Sequence, residues 1–121
     1  MISEWPQTAQ SVSANLREMG AAEGVAEVMK AFSAMAQNAT KGGALDAKTK
    51  ELIGLAIAVA IHCEDCIAFH ANGAAHLGAT PAEIQETLGM AICMGAGPSV
   101  MYASHAWQAF SQFAAAATKK A

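Results

Sequence analysis

Charge is scarce in this sequence. Only 14% of its 121 residues are Asp, Glu, Lys or Arg, against 54% hydrophobic, and the formal net charge is −3. No basic run extends beyond Lys119-Lys120, so no nucleic-acid partner is expected. Long apolar runs are missing as well. The longest, Leu52 to Ile61, is ten residues, about half of what a bilayer-spanning helix requires, so no membrane partner is expected either. The N-terminus, Met1-Ile2-Ser3-Glu4-Trp5-Pro6, has neither the positive nor the apolar region of a secretory leader. The expected location is therefore the cytoplasm, where structural disulfides are rare and a close cysteine pair is more often catalytic or metal-binding. Three cysteines leave one over, which argues against a fully paired disulfide framework. The odd one, Cys93, falls on the apolar stripe of its segment and is expected to be a small core residue. Strand patterning is the last absence. No stretch alternates with period two, and the expected fold class is all-α.

What is present is a series of helical patterns in one domain, residues 1–121, of about six helices. So apolar a chain of this length holds more hydrophobic surface than one small domain covers, which predicts a homo-oligomer built through helix faces. Val12, Leu16 and Met19 mark a helix over 8–19, closed by Gly20. Val25, Val28, Met29, Phe32 and Met35 share a stripe over 21–37, and 38–44, with Gly42-Gly43, reads as a loop. Asp46 can cap a helix over 47–62 that is apolar nearly all round, as a buried central helix would be. A sharp break is expected near His62-Cys63-Glu64, then a helix to Leu77 stopped by Gly78. Thr80-Pro81-Ala82-Glu83 is a capping-box start. That helix carries Ile84, Leu88, Ala91 and Ile92 and fails at Gly95-Ala96-Gly97-Pro98. The last one carries Val100, Trp107, Phe110 and Phe113.

The chemistry concentrates in Cys63-Glu64-Asp65-Cys66-Ile67-Ala68-Phe69-His70, with Glu51 upstream. On a helix, spacings of three and four put Cys63, Cys66 and His70 on one face. A thiolate is the nucleophile in thiol chemistry. His70, one turn past Cys66, can take its proton, and Cys63 can then close a disulfide on an oxidised Cys66. A helix N-terminus would favour the thiolate, whereas Glu64 and Asp65 would oppose it. Glu51 stands twelve residues before Cys63, roughly 18 Å along a straight helix, so it joins the site only if the chain bends back or a neighbouring subunit supplies it. Other uses of these residues are a zinc site on Cys63, Cys66, His70 and His62, for which no second Cys-x-x-Cys offers a convincing fourth ligand, or inert buried thiols. His62 and His76 read as structural or exposed. The methionines and Trp107 read as core or subunit interface.

Glu51, Cys63-x-x-Cys66 and His70, with Leu45 to Glu51 before them and His76 to Ile84 and Met94 to Pro98 after them, resemble the signature of alkylhydroperoxidase D–like proteins of the carboxymuconolactone decarboxylase family. The resemblance covers about residues 45–105. It implies an all-helical trimer or hexamer, and a thiol-dependent peroxidase in which Cys66 attacks the hydroperoxide and Cys63 resolves it. An external dithiol, a lipoyl group or a thioredoxin-like protein, would then reduce the disulfide, with no cofactor. In the family's best-known member a glutamate and two histidines relay protons. Glu51 and His70 match two of these three, and Asp65 stands where the third would be. Alternatives are a thiol–disulfide oxidoreductase with little peroxidase activity, and a zinc-holding or structural oligomer without turnover.

Overall fold

Residues 2–120 are described in the computed structural model; Met1, where the leaderless reading of the N-terminus began, and Ala121 lie outside them. The elements are α1 (Trp5–Gly20), α2 (Ala26–Thr40), α3 (Ala47–Ala60), α4 (Glu64–His76) and α5 (Pro81–Lys120), with no strand among the described residues. The all-α expectation holds. The count is five rather than six because α5 runs on through its break. At Ala96 the backbone leaves helical space (φ 53, ψ −136), dividing α5 into arms 81–95 and 97–120. The break falls on the expected Gly95-Ala96-Gly97-Pro98. A Cβ at Gly95 would collide with the Oγ of Ser99, which is fully buried and has no hydrogen-bond partner.

Local chemistry sets the other boundaries. Asp46 caps α3 by accepting the Thr49 backbone N–H at 2.7 Å, and the Thr49 side chain together with this N–H holds its carboxyl below the usual carboxylate range. Gly78, at φ +79, closes α4. The Gly78 and Ala79 N–H groups return to Ala75 O and Ala74 O, the paired bonds of a Schellman stop. The capping box forms as expected: Thr80 N–H donates to Glu83 Oε1 (2.8 Å), and Glu83 N–H to Thr80 Oγ1 (3.1 Å). Lys48 Nζ reaches the other Glu83 oxygen at 2.8 Å, tying the start of α5 to the start of α3. This ion pair pushes the Glu83 carboxyl down and the Lys48 ammonium up.

The core lies among α3, α4 and α5, with α1 packed on α4 and α5. Leu55, Val59, Ile67 and Ile84 are fully buried, and so is Trp5. The first helix starts three residues earlier than the periodicity indicated, because Trp5 is anchored to α5. Its backbone N–H donates to Gln112 Oε1 and its indole N–H to Gln108 Oε1, both at 2.8 Å.

Several positions on the apolar stripes are exposed. Helix α1 buries Trp5 and Ala9, while Leu16 and Met19 face out. Helix α2 buries nothing: Val28, Phe32 and Met35 are all exposed, Phe32 at 55%. Helix α3 is buried on one side only, with Ile53, Ile57 and Ile61 forming an outward stripe. In the last arm Val100 and Trp107 are exposed, whereas Phe110 and Phe113 are buried as expected. Cys93 is exposed, not a core residue. The core takes Ile84, Leu88 and Ala91 from its arm, and Cys93, two residues past Ala91, lies about 200° further round.

Candidate active site

Helix α3 ends in a tight reversal. Cys63 N–H donates to Ala58 O at 3.0 Å and His62 takes a left-handed φ of 61°, the break the sequence indicated. The reversal folds α4 back along α3, and this answers the distance problem of Glu51. Glu51 Oε2 lies 2.8 Å from His70 Nδ1, nineteen residues away in sequence. A carboxylate only accepts, so Nδ1–H is the donor, and the neutral ring keeps Nε2 as a free acceptor. Glu51 is the better buried of the two, with 15% of its side chain exposed against 33% for His70.

Two glycines make room for this pair. A Cβ on Gly54, one turn past Glu51, would lie 2.8 Å from His70 Nδ1. A Cβ on Gly73, one turn past His70, would lie 2.6 Å from Glu51 Oε2. Each helix thus carries one polar partner and, three residues on, the gap that receives the other. An interior glycine costs a helix roughly 1 kcal/mol relative to alanine, so two of them flanking one contact indicate that close approach is what they serve. The sequence reading missed both, although mid-helix glycines were the available signal.

Cys63 and Cys66 form a disulfide with Cα atoms 5.2 Å apart. Cys63 is the N-cap of α4, its Sγ accepting the Cys66 backbone N–H at 3.2 Å. The pair therefore sits at the positive end of a helix dipole, which favours negative charge on sulfur. Cys66 is partly buried against the core, and His70 follows it by one turn on the same helix. Glu64 and Asp65 occupy the first turn as expected. Asp65 is exposed, whereas Glu64 points to α5, where His105 Nδ1 is 3.5 Å away. His62 stacks on Tyr102 with ring centroids 4.4 Å apart. Tyr102 and His105 were not singled out from the sequence, since a lone tyrosine and histidine at i, i+3 carry no specific signal. His76 is exposed and lines a cavity of about 380 Å³ with Arg17 and Phe69 that includes neither cysteine. Among the described residues no group of three or more His, Cys, Asp or Glu converges to hold a metal ion. No helix among them is long and apolar enough to cross a membrane.

The chain matches the family model for the carboxymuconolactone decarboxylase family over residues 26–109. An uncharacterised protein of Cupriavidus necator is 45% identical over 78 residues, which are 64% of this chain and 69% of the relative. Among solved structures, a carboxymuconolactone decarboxylase family protein from Legionella pneumophila, crystallised in its apo form, superposes with a TM-score of 0.86 at 45% identity, covering 93% of this chain and 99% of that one. A family protein from Thermotoga maritima, described as a candidate for involvement in the antioxidative response, gives a TM-score of 0.81 at 25% identity over 93% and 94% of the two chains. With five helices, a break at Ala96 and a Cys-x-x-Cys disulfide heading α4, this chain belongs to the carboxymuconolactone decarboxylase family.

Proposed function

We propose that the chain is a thiol-dependent peroxidase that reduces hydroperoxides through Cys63 and Cys66. The observation that carries this reading is the Cys63–Cys66 disulfide at the N-terminus of α4, one turn from a histidine whose Nδ1 is engaged by Glu51. His70 Nε2 takes the proton of Cys66, directly or through a water, and Glu51 stabilises the imidazolium that forms. The Cys66 thiolate attacks the terminal peroxide oxygen. The O–O bond breaks, the alcohol leaves with the proton returned by His70, and Cys66 becomes a sulfenic acid. Cys63 then attacks that sulfur, water leaves, and the disulfide closes. The two electrons come from the cysteine pair, and an external dithiol, a lipoyl group or a thioredoxin-like protein, restores them by exchange. The cycle uses no haem, flavin or metal. The antioxidative description attached to the Thermotoga protein is consistent with it. The outward apolar residues of α2, α3 and the first arm of α5, with Met94 78% exposed, suit burial between subunits of a homotrimer or homohexamer, and the cytoplasm is the compartment where such a dithiol stays reducible.

Peroxide consumption with a dithiol reductant tests the reading. Wild type turns over, Cys66→Ser is inactive, and Cys63→Ser forms one sulfenic acid and stops. The acidic first turn of α4, Glu64 and Asp65, favours a second reading, a thiol–disulfide oxidoreductase. Dithiol cycling by wild type without any peroxide consumption selects that one.

A further inference from the structure

Cys63 is held from both sides by α5. The residue before it, His62, stacks on Tyr102 with centroids 4.4 Å apart and planes 13° from parallel. The residue after it, Glu64, brings Oε1 to 3.5 Å from His105 Nδ1. Tyr102 and His105 are three residues apart on one helix face, their rings 5.1 Å apart. One turn of α5 therefore contacts both neighbours of Cys63.

The His105 contact is unusual. Its Nδ1 is buried and makes no hydrogen bond, because the Glu64 oxygen lies at ion-pair distance without hydrogen-bond geometry. Trp5 of α1 closes another side of the ring, centroids 6.4 Å apart. A buried ring nitrogen without a partner, facing a carboxylate, calls for a physical reason, and charge supplies one. Glu64 adjoins Cys63 in the first turn of α4, where a carboxylate opposes the negative charge that a thiolate would bring. Asp65 shares that turn but is exposed, so water and salt screen it. Glu64 is only 30% exposed, so its charge is less fully screened.

We propose that His105 is a positioning residue for the reduced dithiol. It draws the Glu64 carboxylate toward α5, where the ring offsets that charge when it is protonated, so that Cys63 can carry the thiolate its exchange reactions use. Tyr102, through His62, fixes the turn that leads into Cys63. The titratable groups facing His105 are Glu64 from α4, Tyr102 from its own helix and, beyond Tyr102, His62; Trp5 brings no charge. Two carboxylate–imidazole pairs thus serve one disulfide, Glu51–His70 beside Cys66 and Glu64–His105 beside Cys63. The inference rests on the dithiol reading of this pair but not on its substrate.

The test is the iodoacetamide alkylation rate of Cys63 in the reduced full chain, followed by peptide mass as a function of pH. His105→Gln is expected to slow alkylation near neutrality about fivefold, displacing the profile to higher pH. Adding Glu64→Gln to His105→Gln restores the wild-type rate, which a merely structural role for His105 would not allow. An unchanged rate in His105→Gln, or a double variant as slow as His105→Gln, overturns the proposal. Should His105→Gln fail to fold, Glu64→Gln alone decides, since it leaves α5 untouched. Alkylation at the wild-type rate supports the proposal, since a carboxylate already offset opposes nothing, and a clearly faster or slower rate contradicts it. The assay contains no peroxide, so failure of the peroxidase reading leaves its outcome intact.

Discussion

Glu51 and His70 meet at 2.8 Å in a slot cleared by two glycines, whereas Glu64 and His105 stand 3.5 Å apart with no hydrogen bond between them. The first pair joins two neighbouring helices of the α3–α4 hairpin, and its geometry is over-determined by Gly54 and Gly73. The second joins α4 to the second arm of α5, among aromatic rings none of which hydrogen-bonds to His105 Nδ1. A hydrogen-bonded pair fixes a tautomer and a direction for proton transfer. A pair in charge contact alone can only set the local potential. The difference teaches which residue can move a proton and which can only tune the site.

Substitutions should separate the two pairs. Gly73→Ala, which drives a methyl into the Glu51 carboxylate, and Glu51→Gln, whose amide can hold His70 in the opposite tautomer, are each expected to lower peroxide turnover by about 10- to 100-fold. Full turnover in both would show that the cleared slot has no part in the reaction. The Glu64–His105 pair should give the smaller, roughly fivefold, effect on Cys63 alkylation described above. Trp5→Phe removes the indole hydrogen bond to Gln108 and keeps most of the ring. Urea unfolding should show a loss of about 1–2 kcal/mol with the alkylation profile unmoved, marking Trp5 as support rather than tuning. Phe32→Ser on α2 should change the stability of the isolated fold by no more than ~0.5 kcal/mol, yet lower the assembly state seen by sedimentation equilibrium. The least effect is expected far from the cysteines, at Glu83. Its carboxyl is held low by Lys48 and the Thr80 N–H, so its stabilisation is complete above the unfolded-state value and fades as pH falls through the lower folded one. The melting-temperature difference between wild type and Glu83→Gln should therefore shrink toward acid, and a constant difference would refute the linkage.

The sequence showed most clearly what local chemistry decides. Asp46 at its cap, Thr80 and Glu83 in their box, Gly78 at its stop and the break near Ala96 all depend on neighbours within a few residues. The Cys63–Cys66–His70 spacing was legible for the same reason. Glu51 could be named but not placed, because its contact with His70 depends on the reversal at His62. Long-range partners left no trace. Trp5 is buried by Gln108 and Gln112, more than a hundred residues away, and His105 matters only because α5 returns beside Cys63. The apolar stripes of α2 and α3 were visible, but periodicity records that a face is hydrophobic and not whether its own chain covers it. Val28 and Phe32 on their stripe, and Ile57 on the helix expected to be buried, lie outside the core.

The most direct test of the central claim is a stoichiometric titration of fully reduced protein with an alkyl hydroperoxide, counting free thiols and alcohol formed. The account predicts that one equivalent of peroxide yields one equivalent of alcohol and consumes two thiols, mapped as the Cys63–Cys66 disulfide, with Cys93 still free. Peroxide left unconsumed, or consumed while Cys63 and Cys66 remain thiols, would contradict it.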